Sequence, residues 1–331
     1  MEKVSIIMPA YKAYKTIENT IQSVEKQTYS NIELIIVENG PKDYIEEIIN
    51  KFKNNNLEIK YFYCEKPNVS NARNIGIKNA TGKYIAFIDA DDEYESDFLY
   101  KMVSRLEVNN ADLVSCGYKT SDNKIQRLIE SHEDIKCSTD LQKYLEKLKK
   151  NFLFNELWNK VYVNEIIKSN NILFDETYEL GEDYLFNLEY LKNIKKACYL
   201  NEVLYVYTVS DTGLKLKYRK DKFDIEYDLT KKLKEYYQEM GYLMDFVNNQ
   251  FARIYYNGII DIFKDNNPLS KKEKNNQLKE FITEENYRLD LEFLKDKVTD
   301  KKFKLAIKHF FLKGQRRIKI FVLLNNLFHR R

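Results

Sequence analysis

The first third of the chain alternates short apolar runs with longer stretches whose apolar residues recur at helical spacing. Runs rich in Val, Ile and Phe predict strands over residues 4–8, 33–37, 58–63 and 84–88. The stretches between them predict helices over residues 16–26, 44–53 and 69–79. This βαβαβαβ order is typical of a Rossmann-like α/β fold, in which helices flank a doubly wound, mostly parallel sheet.

In sheets of this kind, ligands bind beyond the carboxyl ends of the strands. The segments that follow the four predicted strands are polar or turn-forming, and they cover residues 9–12, 38–41, 65–71 and 89–93. They contain neither the Gly-x-Gly-x-x-Gly of a dinucleotide site nor the Gly-rich turn ending in Gly-Lys-Ser/Thr of a P-loop. We therefore expect a ligand site at this edge that uses neither loop.

From about residue 216 onward the pattern becomes largely helical, with a capping-box pattern at Ser270 and Glu273. Residues 301–331 hold ten Lys or Arg and no Asp or Glu. The rest of the chain holds 44 Lys or Arg and 51 Asp or Glu, which gives it a net charge of −7. Apolar residues recur in this basic segment at near-helical spacing: Phe303, Ile307, Phe310, Phe311, Ile318, Phe321, Val322 and Phe328.

Two interpretations of the basic segment are open. We expect a basic amphipathic helical element that rests on an anionic membrane surface. The alternative is a helix that packs its apolar stripe onto the catalytic domain and leaves its lysines in water. Nucleic-acid binding is disfavoured, because the rest of the chain is acidic and carries no known nucleic-acid module.

Composition indicates a globular protein, with 44% hydrophobic and 32% charged residues. The four cysteines are widely separated and follow no secretory leader, which favours a reducing cytoplasm. The three histidines lack the spacing of a zinc site or a catalytic triad, so carboxylates are expected to carry the chemistry. The apolar run at residues 320–324 is far shorter than the ~20 residues that span a bilayer.

Three carboxylates follow the fourth predicted strand at Asp89, Asp91 and Asp92. In an extended segment Asp89 and Asp91 point to the same side, where they can share Mg²⁺ or Mn²⁺ with a diphosphate. Oxygen ligands suit these hard ions, and the lack of nearby His or Cys argues against zinc. The alternative is a solvated turn that caps the next helix.

Several ordered segments carry a resemblance to a known family. They are VSIIMPAY at 4–11, SVEKQTY at 23–29, NARNIGI at 71–77 and ATGKYIAFIDADD at 80–92. Further matches are LWNKVY at 157–162, GEDYLF at 181–186 and LYVY at 204–207. Together they resemble the inverting family 2 glycosyltransferases with the A-type nucleotide-sugar-binding fold, and the resemblance reaches about residue 210.

The resemblance implies a metal-dependent transferase that moves a sugar, hexosyl or N-acetylhexosaminyl, from a nucleotide donor, expected to be a UDP-sugar, to an acceptor hydroxyl. It implies a catalytic domain over residues 1–215, with a nucleotide-sugar-binding half at 1–115 and an acceptor-binding half at 116–215, followed by the helical region 216–331. Bacterial members of this family build cell-surface glycans, often on lipid-linked acceptors, so we expect a cytoplasmic protein at the inner face of the membrane. The oligomeric state stays open.

By resemblance, Asp91 binds the metal, Asp89 faces the metal, ribose and diphosphate, and Asp183 is the general base with Glu182 beside it. The resemblance also implies substrate contacts for Pro9, Ala10, Tyr11, Glu38, Asn71, Arg73, Asn74, Asp89, Ala90, Trp158 and Lys160. Alternatives remain for several of these. Arg73 and Asn74 can instead brace Asp89, Trp158 and Tyr11 can serve packing, and Asp183 can be a helix-start carboxylate.

Two departures from the family pattern stand out. Glu38 replaces the acidic pair that follows the second strand in many members, which weakens the expectation of uracil recognition. The usual arginine after the last matched strand is absent, so Lys215 or Lys217 is expected to contact phosphate. Competing functions are a nucleotidyltransferase, which normally has a Gly-rich loop after the first strand, and a sugar-nucleotide-binding scaffold without transfer activity, against which Glu182 and Asp183 argue.

Overall fold

The four strands predicted first all form and lie parallel to one another. In the computed structural model, which describes residues 1–52, 57–129, 137–209 and 219–329, these strands are β1 (Val4–Ala10), β2 (Ile32–Asn39), β3 (Glu58–Cys64) and β4 (Tyr84–Phe87). The connecting helices are α1 (Ile17–Glu25), α2 (Ile45–Phe52) and α3 (Val69–Asn79). β1 pairs with β2 and β4, and β2 pairs with β3, all in parallel. The predicted Rossmann-like α/β start is therefore confirmed.

The rest of the first unit, Met1–Asp211, extends this sheet with mixed strand directions. Its further elements are β5 (Glu93–Tyr94), α4 (Phe98–Asn109), β6 (Leu113–Thr120), β7 (Gln126–Arg127), α5 (Leu141–Lys150), β8 (Lys160–Val163), α6 (Asn164–Ser169), α7 (Glu182–Lys192) and β9 (Ala197–Tyr207). The strand order is β3-β2-β1-β4-β8-β6-β9-β5, with β7 paired to β6. β8 runs antiparallel to β4 and β6. β1 and β2 are buried at every residue.

A fully buried carboxylate, Glu33, ties together the amino-terminal ends of the central strands. It accepts hydrogen bonds from the Lys60 ammonium at 2.6 Å, the Thr81 backbone N–H at 2.6 Å and the Ser5 hydroxyl at 2.5 Å. Burial alone raises the pKa of Glu33, but these donors outweigh it and lower the pKa from 4.5 to about 2. The carboxylate therefore holds the Thr81 turn, which leads into β4, against β1 and β3.

Replacing Glu33 with Gln is expected to destabilise the fold by ~3 kcal/mol at neutral pH, because it removes a buried carboxylate whose charged form is stabilised by its donors. The lowered pKa adds stability that is fully present above pH 4.5 and is lost as the pH falls towards about 2. The free-energy difference between the parent and the variant should therefore shrink by ~3 kcal/mol over that range in denaturant titrations. Glu58→Gln is the control, since Glu58 pairs with Lys3 at the surface. An equal loss in both variants would contradict the role of Glu33.

The second unit, Thr212–Arg331, is helical where the structure describes it. Its helices are α8 (Lys222–Glu239), α9 (Asp245–Ile262), α10 (Lys271–Thr283), α11 (Glu285–Lys297), α12 (Lys301–His309) and α13 (Gln315–His329). The predicted capping box at Ser270 and Glu273 is confirmed at the start of α10. Within the described ranges, no helix is long and apolar enough to cross a bilayer.

The apolar residues of the basic segment are largely packed inside the second unit. Ile307, Phe311 and Ile318 are each at most 2% exposed. Phe311 and Phe321 contact the ring of Tyr256 on α9, with ring centroids 6.2 and 5.2 Å apart. The stripe therefore packs on protein, as the alternative expected, but these contacts are to a helix of the second unit and not to the catalytic domain.

One cysteine pairing was not predicted. Cys137 and Cys198 form a disulfide, whereas Cys64 and Cys116 are free. The backbones of Ser138 and Ala197 exchange two hydrogen bonds, of 2.8 and 3.0 Å, which set the neighbouring cysteines side by side. Nothing in the sequence indicated this pairing, because 61 residues separate the two cysteines and only the sheet brings them together.

Candidate active site

The acidic turn after β4 separates its three carboxylates into different environments. Asp92 is fully buried and accepts hydrogen bonds from the Tyr205 hydroxyl and the Thr208 N–H, both at 2.6 Å. Burial, followed by the charge of Asp89, raises the pKa of Asp92 to about 8. Asp91 is exposed, and the Asp89 side chain is 35% exposed. Asp92 thus anchors the turn to the end of β9 and leaves Asp89 and Asp91 accessible.

Arg73, on α3, joins this turn to a second acidic pair. Its guanidinium is buried and contacts Asp183 at 2.5 Å, Glu182 at 3.0 Å and Asp89 at 3.6 Å. Burial lowers the pKa of Arg73, but the three carboxylates outweigh it and raise the pKa above its ordinary value. Among the described residues, its buried Nε has no hydrogen-bond partner, so a further acceptor can bind there.

The local backbone places Glu182 and Asp183 in the first turn of α7. Gly181 adopts a φ of +92°, which an L side chain rarely adopts, and the helix begins at the next residue. Burial is the largest influence on Asp183, and it raises the pKa of this carboxyl well above its ordinary value. Arg73 opposes that shift, while Glu182 and Asp89 add to it. Asp183 is therefore a carboxylate whose proton affinity is increased, as a general base requires.

The site carries more negative than positive charge. Arg73 offers one positive charge to Asp89, Glu182 and Asp183, and burial, followed by the charge of Asp89, raises the pKa of Asp91. Within the described residues, no group of three or more His, Cys, Asp or Glu side chains is arranged to hold a metal ion. Mg²⁺ sites commonly use one or two carboxylates together with substrate phosphates, and Asp89 with Asp91 matches that donor set.

The nucleotide side of the predicted site lies at the ends of β1 and β2. Pro9 and Ala10 are buried in β1, and Tyr11 follows with 49% of its surface exposed. Gly40 has a φ of +98°, and a Cβ there would lie 2.8 Å from the Tyr11 ring. The glycine therefore permits the ring of Tyr11 to lie against the loop after β2.

Glu38 differs from the expectation that it contacts the base. Its carboxylate is 1% exposed, and its Oε1 accepts the Asp43 backbone N–H at 2.6 Å. Its Oε2 accepts the Tyr61 hydroxyl. Each oxygen already has a protein donor, so in this structure Glu38 shapes the loop rather than facing a ligand.

Two further residues assigned to substrate are placed in the interior. Trp158 is 5% exposed and stacks on Tyr205, with ring centroids 4.1 Å apart, which matches the packing alternative. Lys160 is fully buried, and its ammonium donates to the Leu153 carbonyl at 2.9 Å and to the Glu156 carbonyl. Burial lowers the pKa of Lys160 to about 8. Both side chains are therefore packed in the interior of the first unit.

The remaining predicted residues lie around α3 and the acidic turn. Asn74 donates to the Phe174 carbonyl at 3.0 Å and accepts its N–H at 2.8 Å, so it braces a loop that leads to α7. Asn71 is half-buried in the first turn of α3, and Ala90 is buried between Asp89 and Asp91. Lys215 and Lys217 fall outside the described residues.

Sequence reasoning missed the partners that hold the acidic turn. Tyr205 and Thr208 bind Asp92 across 113 and 116 residues of sequence. The LYVY match at 204–207 identified this strand but did not indicate which tyrosine turns inward. The available signal was the run of three carboxylates within four positions, because any of them that becomes buried needs hydrogen-bond donors.

Comparison with known proteins shows which family the chain belongs to. The family model described as "Glycosyl transferase family 2" matches residues 5–169. The chain is 32% identical over 215 residues to a Bacillus subtilis protein described as "Uncharacterized glycosyltransferase EpsJ". That match covers 64% of this chain and 62% of the relative, so it spans less than two thirds of the relative's length.

Solved structures share the fold at low identity. The chain is similar to S. aureus TarS 1–349 in complex with UDP-GlcNAc, with a TM-score of 0.70, 19% identity, and coverage of 99% of this chain and 92% of that one. It is also similar to the mannosyltransferase PcManGT from Pyrobaculum calidifontis in complex with GDP-Man and Mn²⁺, with a TM-score of 0.55, 14% identity, and coverage of 92% and 86%. With the A-type glycosyltransferase fold and the family match over residues 5–169, the chain belongs to glycosyl transferase family 2.

Proposed function

We propose that the first unit transfers a sugar from a nucleotide donor to an acceptor hydroxyl with inversion at the anomeric carbon, in the synthesis of a bacterial cell-surface polysaccharide. The observation that carries this proposal is the Arg73 guanidinium, which joins a carboxylate of raised pKa, Asp183, to Asp89 of the acidic turn. The carboxylate proposed to deprotonate the acceptor, Asp183, and the carboxylate proposed to bind the donor, Asp89, are therefore held in one cluster. The complex of TarS with UDP-GlcNAc supports a UDP-sugar donor and a hexosyl or N-acetylhexosaminyl transferase.

In the proposed reaction, Asp183 accepts the proton of the acceptor hydroxyl as its oxygen forms a bond to the anomeric carbon. The bond between that carbon and the diphosphate oxygen breaks at the same time, and the nucleoside diphosphate leaves with the electron pair. Attack from the side opposite the leaving group inverts the configuration. Arg73 holds the Asp183 carboxylate in place, since one N–H of its guanidinium bonds one carboxylate oxygen at 2.5 Å. Glu182 lies beside this carboxylate and also shares a side-chain hydrogen bond with Asp183.

We propose that Asp91, with Asp89, holds Mn²⁺ or Mg²⁺ together with the donor diphosphate. The excess of negative charge in the cluster fits a bound cation, and PcManGT was solved with Mn²⁺. A metal ion bound there stabilises the negative charge that develops on the leaving diphosphate. The chain's own contribution is to keep two carboxylates accessible while the third, Asp92, is tied to β9.

A panel of nucleotide sugars, supplied with Mn²⁺ and monitored for released nucleoside diphosphate, tests the proposal. We expect turnover with at least one UDP-sugar and slow hydrolysis when no acceptor is present. Binding of a nucleotide sugar without any turnover would favour the scaffold alternative. Release of pyrophosphate from a sugar phosphate and a nucleoside triphosphate would favour the nucleotidyltransferase.

We propose that the second unit attaches to the inner face of the cell membrane through the exposed side of α13, near a lipid-linked acceptor. Ile320, Leu323 and Leu324 are 46%, 64% and 41% exposed. Arg316 and Arg317 lie on the same exposed side, one turn before Ile320. This smaller patch takes the place of the buried stripe that the sequence had suggested, and it combines apolar and cationic groups as interfacial helices do.

Full-length protein carrying Arg316→Gln and Arg317→Gln is expected to bind anionic vesicles at least ~30-fold more weakly, because each basic residue near such a surface adds ~1 kcal/mol. Co-sedimentation with anionic and neutral vesicles at two salt concentrations measures the effect. Leu323→Ser should also weaken binding, whereas Leu289→Ser, at a position that is 66% exposed on α11, should not. Unchanged pelleting of the arginine variant would overturn the membrane proposal. Point variants are preferred to truncation, because α12 and α13 contribute buried side chains.

A further inference from the structure

The second unit contains a cleft of about 510 Å³ between α8, α9 and α11. Lys231 and Lys234 of α8, Asn248 of α9, and Phe293 and Lys297 of α11 are among the residues that line it. This volume lies within the ~300–1,000 Å³ of small-molecule sites, and the lining mixes aromatic, amide and charged groups as such sites do. The proposed transfer reaction assigns no role to this cleft.

The lysines of the cleft differ from their neighbours on the same helices. Lys232 of α8 pairs with Glu235 at 3.2 Å, and Lys295 of α11 pairs with Glu292 at 2.5 Å. Among the described residues, Lys234 and Lys297 make no ion pair, although both are exposed and line the cleft. Their charges are therefore available to an anionic ligand.

Asn248 provides an independent observation. Its side chain is 7% exposed and lines the cleft, and its amide is not among the described buried polar groups that lack a partner. A side-chain amide can both donate and accept hydrogen bonds. A ligand that both donates and accepts hydrogen bonds therefore matches it.

Two carboxylates and an exposed ring complete the lining. Asp290 accepts the hydroxyls of Tyr227 and Tyr255 on the same oxygen, Oδ2, at 2.6 Å each. Its Oδ1 remains an acceptor for a ligand hydroxyl. Asp245 also lines the cleft, so the three lysines exceed the carboxylates by one charge. Phe293 is 58% exposed and offers a flat apolar face.

We propose that this cleft binds an acidic carbohydrate, a glycan whose sugars carry a carboxylate or a phosphate. The acidic group forms ion pairs with Lys234 and Lys297. The ring hydroxyls form hydrogen bonds with Asn248 and Asp290, and the apolar face of a sugar ring packs on Phe293. A purely apolar ligand would use neither the lysines nor the amide. A free inorganic anion would use neither Phe293 nor Asn248. The site belongs to the second unit by itself and is independent of the transfer proposed for the first.

Ligand-observed NMR and calorimetry with full-length protein test the site. The probes are an oligomer of galacturonic acid and glucose 6-phosphate, with a neutral oligosaccharide and inorganic phosphate as comparisons. We expect the acidic sugars to bind, with at least ~10-fold weaker binding by Lys234→Gln/Lys297→Gln and by Asn248→Leu. The matched control Lys232→Gln/Lys295→Gln removes equal charge from the same helices and should leave affinity nearly unchanged. A preference for one acidic probe identifies the carboxylate or the phosphate as the recognised group.

Three results would overturn the proposal: equal binding of the neutral oligosaccharide, equal loss in the control double variant, or no binding of either acidic probe by the folded parent protein. Circular dichroism confirms that each variant is folded. If Asn248→Leu does not fold, the Lys234→Gln/Lys297→Gln variant and its control still test the proposal. Asp183→Asn should bind the acidic probes as the parent does, which separates this site from a failure of the proposed transfer activity.

Discussion

Asp183→Asn is expected to lower the sugar-transfer rate by ~10²–10⁴-fold, because the amide keeps the size of the side chain and removes the proton acceptor. Donor affinity should change little, since no donor contact is assigned to this side chain. The fold should also survive, because Glu182 and Asp89 remain as partners of the buried Arg73 guanidinium. Single-turnover transfer and titration with UDP measure the two effects separately.

The pH dependence of transfer gives a second measurement of the same residue. A carboxyl whose pKa is raised becomes protonated at a higher pH than usual, and a protonated carboxyl cannot accept the acceptor's proton. The value of kcat/KM should therefore fall as the pH is lowered, with its midpoint above the ordinary carboxyl range of ~4. This acidic limb should disappear from the residual activity of the Asp183→Asn variant.

Two other variants serve as controls for Asp183. Asp97→Asn alters a surface carboxylate that pairs with Lys101 at 2.5 Å, and it should transfer sugar at the parent rate. Glu182→Gln should retain most activity if Glu182 only supports the base. Near-normal transfer by Asp183→Asn together with a large loss in Glu182→Gln would move the role of base to Glu182.

Removal of divalent metal with excess chelator is expected to abolish transfer, and Mn²⁺ or Mg²⁺ should restore it. Asp89, Asp91 and a donor diphosphate otherwise bring several negative charges together, and partial desolvation, followed by the charge of Asp89, already raises the pKa of Asp91. Asp91→Asn should raise the Mn²⁺ concentration for half-maximal activity by at least ~10–100-fold, the loss seen even for residues behind the ligands.

The matched control for Asp91 is Glu93→Gln, which removes an equal charge from an exposed residue two positions along the chain. It should leave the Mn²⁺ requirement unchanged. Binding of Mn²⁺ in the presence of UDP, followed by electron paramagnetic resonance, provides a readout besides activity. Full transfer in metal-free buffer with chelator would contradict the assignment of Asp89 and Asp91.

The early part of the fold could be predicted because its information is local. Apolar runs and helical spacing located β1 to β4 and α1 to α3, each within two residues of the bounds in the structure. The spacing of hydrophobic residues indicates which face of a helix or strand is buried. Parallel strands place their carboxyl ends at the same edge of the sheet. The acidic turn at Asp89 and Asp91 was found for the same reason, since it follows directly on a predicted strand.

Local sequence patterns were thus sufficient for the α/β start, the polar segments at the carboxyl ends of the strands, the capping box and, by resemblance, the family. The tertiary structure decided which side chains meet: Arg73 with Asp183 across 110 residues, and Glu33 with Thr81 across 48. It also decided that the apolar stripe of the basic segment packs on protein and that Glu38, Trp158 and Lys160 are buried. The spacing of hydrophobic residues cannot predict these contacts, because it indicates that a face of a helix or strand is covered but not which residues cover it. The partner of a buried charge depends on distances through space, which strand order and register set.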